Sequence, residues 1–301
     1  MIPEPLQYDF MQNAYAAGTI VAIVSAVVGF FVVLRGLTFA AEAFSHIGFA
    51  GATGAILFGV DPLFGLLAFT ILSGVIMGFL GERLRGRDVA IGIVLAFGLG
   101  LGALFLSLYT RYATQAYSIL FGTILGVSLG DVLISLVLGA VVLGLMAILY
   151  RPLMFASIDP EVAAARGVPV EALSMAFLFV LAIAVAEAVQ VVGVLLVFTL
   201  LVAPAATASY LTTRPSSAIL LGVLLALTET WIGITLAFYS KFPVSFYISA
   251  LGFALYLLAR LVGPRLSHRP KTPDAPSTSQ LVTASTALGA SDERSSKASQ
   301  S

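Results

Sequence analysis

The 301-residue chain contains no cysteine, only two histidines, a single tryptophan and charge on only 10% of its positions. Without cysteine there is neither a disulfide nor a thiolate ligand, so any metal site is left to His, Asp, Glu and backbone oxygen. An ordinary soluble domain carries about 25% charged residues to keep its surface wetted, and a chain this poor in charge is not one. The 15 basic and 15 acidic side chains cancel, which removes support for a nucleic-acid surface. No G-x-x-x-x-G-K-[ST] run occurs, so hydrolysis of a nucleoside triphosphate is not expected of this chain. No residue-level repeat is evident. Residues 1–16 hold Glu4 and Asp9 but no Lys or Arg, unlike a secretory signal with its basic start. They are read as a short, uncleaved extracytoplasmic lead.

What is present is apolar. Hydrophobic residues make up 59% of the chain and fall in runs near the ~20 residues that cross a bilayer as helix. Helices satisfy their own backbone in lipid, where open strands do not. The fold class is therefore all-α, a polytopic transmembrane helical bundle of eight or nine spans. Spans are predicted near 17–34, 37–59, 62–80, 89–108, 131–150, 172–191, 194–211, 216–238 and 243–262. The apolar, Gly-rich piece at 117–130 reads either as a re-entrant helix or as part of the fifth span. The transmembrane domain covers 17–266.

Basic residues in the short loops orient the chain. With the amino terminus outside, the cytoplasmic side receives Arg35, Arg83, Arg85, Arg87, Arg151, Arg166, Arg214, Arg260, Arg265, Arg269 and Lys271. The outer side receives only Arg111 and Lys241. An odd number of spans and a cytoplasmic carboxyl terminus follow. Gly98 and Gly102, Gly122 and Gly126, and Gly126 and Gly130 have the spacing that lets membrane helices approach closely. Residues 267–301, rich in Ser, Thr, Pro and Ala, cannot bury enough apolar surface to order and read as a disordered cytoplasmic tail.

Ionisable residues inside spans are costly and so are functional candidates. Here they are Glu42, His46, Glu187 and Glu229. Glu42 and His46 stand four apart on one helical face, with Thr38 a turn earlier and Ser45 adjacent. A carboxylate and an imidazole so placed can share one cation, for which Zn²⁺ usually wants four ligands. Two per chain suggest that a second copy across a two-fold axis supplies the rest. The competing reading is an interhelical hydrogen bond. His46 must be neutral to bind, so acid weakens the site. Glu187 and Glu229 are candidate pathway residues with Thr38 and Ser45; the alternative is that a neighbouring backbone satisfies them. Asp61, beside Pro62, suits a cap.

The 151–170 stretch is the longest polar interruption between spans. Asp159 reads as a helix cap, Pro160 as the first helical residue and Glu161 as a first-turn acid. The helix stops after Arg166 at Gly167. A short helix on the cytoplasmic face suits docking to another protein; an interspan loop is the alternative.

Three runs carry a resemblance: LRGLTFAAEAFSHIGFAGA (34–52), DPEVAAARGV (159–168) and VGVLLVFTLLVAPAATA (192–208). In this order and spacing the chain resembles the permease subunits of zinc, manganese and iron ABC importers that use a cluster A-I type binding protein. The resemblance implies a permease homodimer in a bacterial plasma membrane, worked by cytoplasmic ATP-binding subunits. An extracytoplasmic metal-binding lipoprotein would supply the ion. It implies that Glu42 and His46 line the metal path and that Asp159, Pro160, Glu161, Arg166 and Gly167 meet the ATPase. No permanently bound cofactor is expected; the cargo would be zinc or manganese, with iron as a third candidate. The family usually has Asp where Glu42 stands, and commonly an acid where Lys241 stands. Two rivals are a secondary ion-coupled metal transporter and an ABC permease for a cobalamin or siderophore. The first commonly shows paired repeats, none of which is found, and the second has no use for an acid-and-His pair.

Overall fold

The coordinates are a computed structural model that describes residues 4–83, 87–108 and 119–266, and every regular element among them is helical. After a 3₁₀ turn at Glu4–Gln7 come α1 (Asp9–Leu34), α2 (Thr38–Leu57), α3 (Pro62–Arg83) and α4 (Arg87–Leu108). A 3₁₀ turn at Ile124–Gly126 precedes α5 (Leu129–Ile158) and the short α6 (Pro160–Ala165). The chain continues through α7 (Val170–Val192), α8 (Val194–Leu211), α9 (Pro215–Phe238) and α10 (Val244–Leu266). The helical unit is Met1–Gly263, and Pro264–Ser301 form a second unit. The tail expected over 267–301, together with Arg85, Arg111 and the start of the 117–130 piece, lies outside the described residues.

Among the described residues, eight of the long helices, all but α2, are apolar and long enough to cross a bilayer, and the chain is a multi-pass membrane protein. The uncertainty between eight and nine spans comes down to α2. Its 20 residues would reach about 30 Å, but Glu42, His46 and three glycines dilute its hydropathy.

Three boundaries differ from expectation. α1 begins at Asp9, not 17, so much of the expected lead is helix, with Met11 and Ala14 buried. Polar Gln12 and Asn13 interrupt the apolar pattern there, yet each is satisfied, by Leu6 O at 2.9 Å and Val127 O at 3.3 Å. α5 runs on through Arg151 and Pro152 to Ile158, so the first part of the 151–170 segment continues a helix of about 45 Å. Of the 117–130 piece, residues 119–121 are helical, and Leu129 and Gly130 open α5, so its end is part of the fifth span. Between them the chain is irregular apart from the 3₁₀ turn, and there Gly122 has φ +75° and meets the backbone of Val192 and Gly193. Among the described residues a Cβ on Gly126 would meet only Thr123, at 3.7 Å, and one on Gly130 only Ser128, at 3.6 Å, so neither seats another of the described helices.

The helix ends follow from their residues. α1 closes with Gly36 at φ +66° and Leu37 N–H donating to Val32 O at 2.8 Å, a left-handed C-cap that suits glycine. Asp61 caps α3 by accepting from Leu63 N–H at 2.9 Å. Ser128 and Asp131 form a capping box at the start of α5.

Lipid gives helices no hydrophobic reason to associate, so small residues that admit close backbone contact set the packing. α1 and α7 lie at the centre, and α4 is the most exposed of the spans. The small face of α1 carries Gly18 against Thr230 and Ile234 of α9, and Gly29 against the Leu201 backbone of α8. α2 sits between α3 and α4. Gly51 and Gly65 face each other so closely that a Cβ on either would overlap the other's carbonyl oxygen, and Gly98 and Gly102 of α4 receive Ile47 and Phe49. Gly51→Ala is expected to push α3 off α2 and cost roughly 1–3 kcal/mol as an overpacked site. Gly100→Ala, with nothing within 4 Å of its Cβ, should be neutral or slightly stabilising. Thermal unfolding of the detergent-purified protein compares the two, and equal melting temperatures would refute the close contact.

Candidate functional site

Fourteen of the 20 residues of α2 are buried, including Ala41, Ala43, Phe44, Ser45 and Ile47. Glu42 and His46 are the interruption. Their side chains keep 35% and 21% of their exposure and meet through Glu42 Oε1 and His46 Nε2 at 3.0 Å. Glu42 Oε2 is enclosed and has no hydrogen-bond partner among the described residues. The helix thus presents a carboxylate and an imidazole together on its one open side. Thr38, the first residue of α2, shares that face by its spacing of four. Ser45 does not: it is fully buried and donates to Ala41 O at 3.2 Å.

Glu187 and Glu229 lie elsewhere. Both are fully buried, and neither carboxyl has a hydrogen-bond partner among the described residues. Glu187 Oε1 lies 3.2 Å from where a Cβ would stand on Gly139 of α5, beside Ile20 and Val24 of α1. Glu229 Oε2 stands at the same distance from that position on Gly252 of α10, beside Thr199 and Ala203 of α8. The backbone satisfaction expected for them is not seen; glycine notches hold them instead. No group of three or more His, Asp or Glu side chains that could hold a metal occurs among the described residues, so neither acid joins the pair on α2. Lys241 sits exposed in the turn between α9 and α10, and nothing in the structure explains it.

The segment after α5 folds as its residues require. Asp159 Oδ1 accepts from Val162 N–H at 3.0 Å, Pro160 is the first residue of α6, Glu161 lies in its first turn and Arg166 caps its end. Gly167 takes φ +81°. The Arg166 guanidinium lies 6.0 Å from the Phe155 ring centroid, which ties α6 back to α5. Sequence reasoning placed Arg35 on the cytoplasmic side and took it as the basic residue of the 34–52 run, but gave it no contacts. That side chain bonds to both helices flanking α6, through Ser157 and Ser174. With partners 122 and 139 residues away, no local pattern could have found it.

A bundle of long apolar helices, with an ionisable pair on its one polar long helix and a capped six-residue helix between two spans, has the make-up of a membrane transport subunit. The chain belongs to the ABC 3 transport family, which matches residues 7–263. It is 30% identical over 261 residues to the manganese transport system membrane protein MntC of Listeria monocytogenes, covering 86% of this chain and 93% of that one. A probable iron transport system membrane protein of Haemophilus influenzae is 31% identical over 259 residues, covering 85% and 94%. Among solved structures, PsaBC from Streptococcus pneumoniae in complex with Fab superposes with a TM-score of 0.78 at 28% identity, covering 88% of this chain and 97% of that one.

The cap on α6 gives a direct check. Asp159→Ala should cost about 1 kcal/mol and speed amide hydrogen exchange across α6, whereas Asp159→Asn, an equally good cap, should not. Unchanged exchange in the alanine variant would rule out the cap as what holds α6.

Proposed function

We propose that this chain is the membrane-spanning subunit of an ATP-driven importer of divalent metal ions, with Glu42 and His46 as the ligands met in transit. The observation that carries the reading is the pair itself, at 3.0 Å on the one open side of a buried helix. Two donor atoms that far apart, each ~2.1 Å from one ion, subtend roughly 90° at it, an angle that four- or six-coordinate ions accept with modest distortion. In the absence of metal Glu42 Oε1 and His46 Nε2 engage each other, and an arriving dication replaces that contact.

The names of the relatives favour manganese or iron as cargo, and the ligand chemistry suits zinc as well. One chain offers two ligands, so the site is completed by a second copy related by a two-fold axis, consistent with the pair's residual exposure. The cytoplasmic ATP-binding subunit docks on α6 and its caps, Asp159 to Gly167. An extracytoplasmic metal-binding lipoprotein delivers the ion to the opposite face. Nucleotide binding and hydrolysis by the partner move α6, and access to Glu42 and His46 alternates between the two sides of a bacterial plasma membrane. The amino terminus faces outward and the carboxyl terminus the cytoplasm. Thr38, on the same face, lines the route; Glu187 and Glu229, enclosed in their notches, support the bundle.

Metal uptake by cells or vesicles carrying the whole transporter tests this reading. Glu42→Ala and His46→Ala should each reduce uptake beyond the roughly 10–100-fold typical of losing an outer-sphere partner. Glu42→Asp should retain a measurable part, and Glu187→Gln should retain most. Uptake that survives either alanine substitution, or that persists without the ATP-binding subunit, would overturn the assignment.

A further inference from the structure

Two things needed for transport stand apart in this fold: α6, at the end of α5, and the pair on α2. Arg35 lies between them. It is the C-cap of α1, with its N–H donating to Phe31 O at 2.9 Å. Its guanidinium reaches across to both flanks of α6. Nη1 donates to Ser157 Oγ at 3.2 Å in the last turn of α5, and Nη2 donates to Ser174 Oγ at 2.5 Å near the start of α7. The same group stands 5.8 Å from the ring centroid of Phe177, which is fully buried on α7. In the other direction only Gly36 and Leu37 separate Arg35 from Thr38. That turn is tied by Leu37 N–H to Val32 O at 2.8 Å and by Ala41 N–H to Leu37 O at 3.0 Å. No slack segment intervenes, and Glu42 follows within the next two turns.

We propose that Arg35 is a positioning residue for transport: the strut through which displacement of α6 resets the first turn of α2 and, with it, Glu42 and His46. α6 is bound to α5 through Arg166 and Phe155, so a push on α6 moves Ser157. A planar, always-charged guanidinium held at two of its nitrogens transmits a change of direction as well as of distance. Ser157 and Ser174 receive it through hydroxyls, which rotate to suit, so these two contacts can be made and remade as the helices shift. A shared element that both sites bias is the physical requirement for such coupling. The proposal rests on the reading of the chain as an ATP-driven importer.

The test uses proteoliposomes holding the complete transporter, with Mn²⁺ as probe, and measures ATP hydrolysed and metal accumulated in the same vesicles. Arg35→Gln and the gentler Ser157→Ala/Ser174→Ala pair should assemble with the ATP-binding subunit and hydrolyse ATP. The metal moved per ATP should fall about threefold or more, and Arg35→Lys, which keeps the charge and one contact, should fall between. Equilibrium Mn²⁺ binding without nucleotide should change by less than the transport ratio does. A ratio equal to wild type in the serine pair overturns the strut, as does a parallel fall of hydrolysis and uptake in all three variants. Wild-type vesicles that accumulate no metal with ATP would instead overturn the transport reading beneath it.

Discussion

Lipid tails are as apolar as leucine, so the bilayer does not squeeze these helices together as water squeezes a soluble core. What holds the bundle is contact at backbone distance, and that contact exists only where side chains are missing. The mutual approach of Gly51 and Gly65 clasps α3 to α2, Gly98 and Gly102 seat α4 on its other side, and Gly29 brings α1 against the α8 backbone. The placement of Glu42 and His46 follows from these contacts. With α2 wrapped by neighbours on most of its surface, the pair has one direction left to face.

The same constraint explains how the four intramembrane ionisable groups divide. Hydrocarbon tolerates a polar group that finds a partner and penalises one that does not. Glu42 and His46 partner each other and stay accessible. Glu187 and Glu229 have no such partner among the described residues and are closed off entirely, each against a glycine on another helix. Accessibility divides the four into an open pair and two enclosed acids, and sequence reads all four as equivalent insertions of charge.

Legibility varied with the range of the interaction. The face shared by Glu42 and His46, the Asp159 cap, Pro160 and the Gly167 stop are set within a few residues, and they appear as the local pattern implies. The long helices were legible from the length of their apolar runs. Boundaries failed where a polar residue is satisfied from a distance: Asn13 by Val127 keeps α1 helical before residue 17, and the Arg151-Pro152 pair, which reads as a stop, lies inside α5. Of the glycines at 122, 126 and 130, Gly122 alone makes a close approach among the described residues, to the Val192–Gly193 backbone, and it does so from a turn at φ +75° and not from a helix face. The notches that hold Glu187 and Glu229, and the serines that receive Arg35, join distant helices, so a single sequence contains no trace of them.

The modest hydropathy of α2 bears on how the protein is made. A segment with a glutamate, a histidine and three glycines partitions less readily from the translocation channel into lipid than an all-apolar one, since ionisable residues are penalised on the insertion scale. Its neighbours α1 and α3 are strongly apolar and lie only a few residues away on either side. Release of α2 together with them is therefore favoured over its release alone. The helix least suited to lipid then never meets it alone.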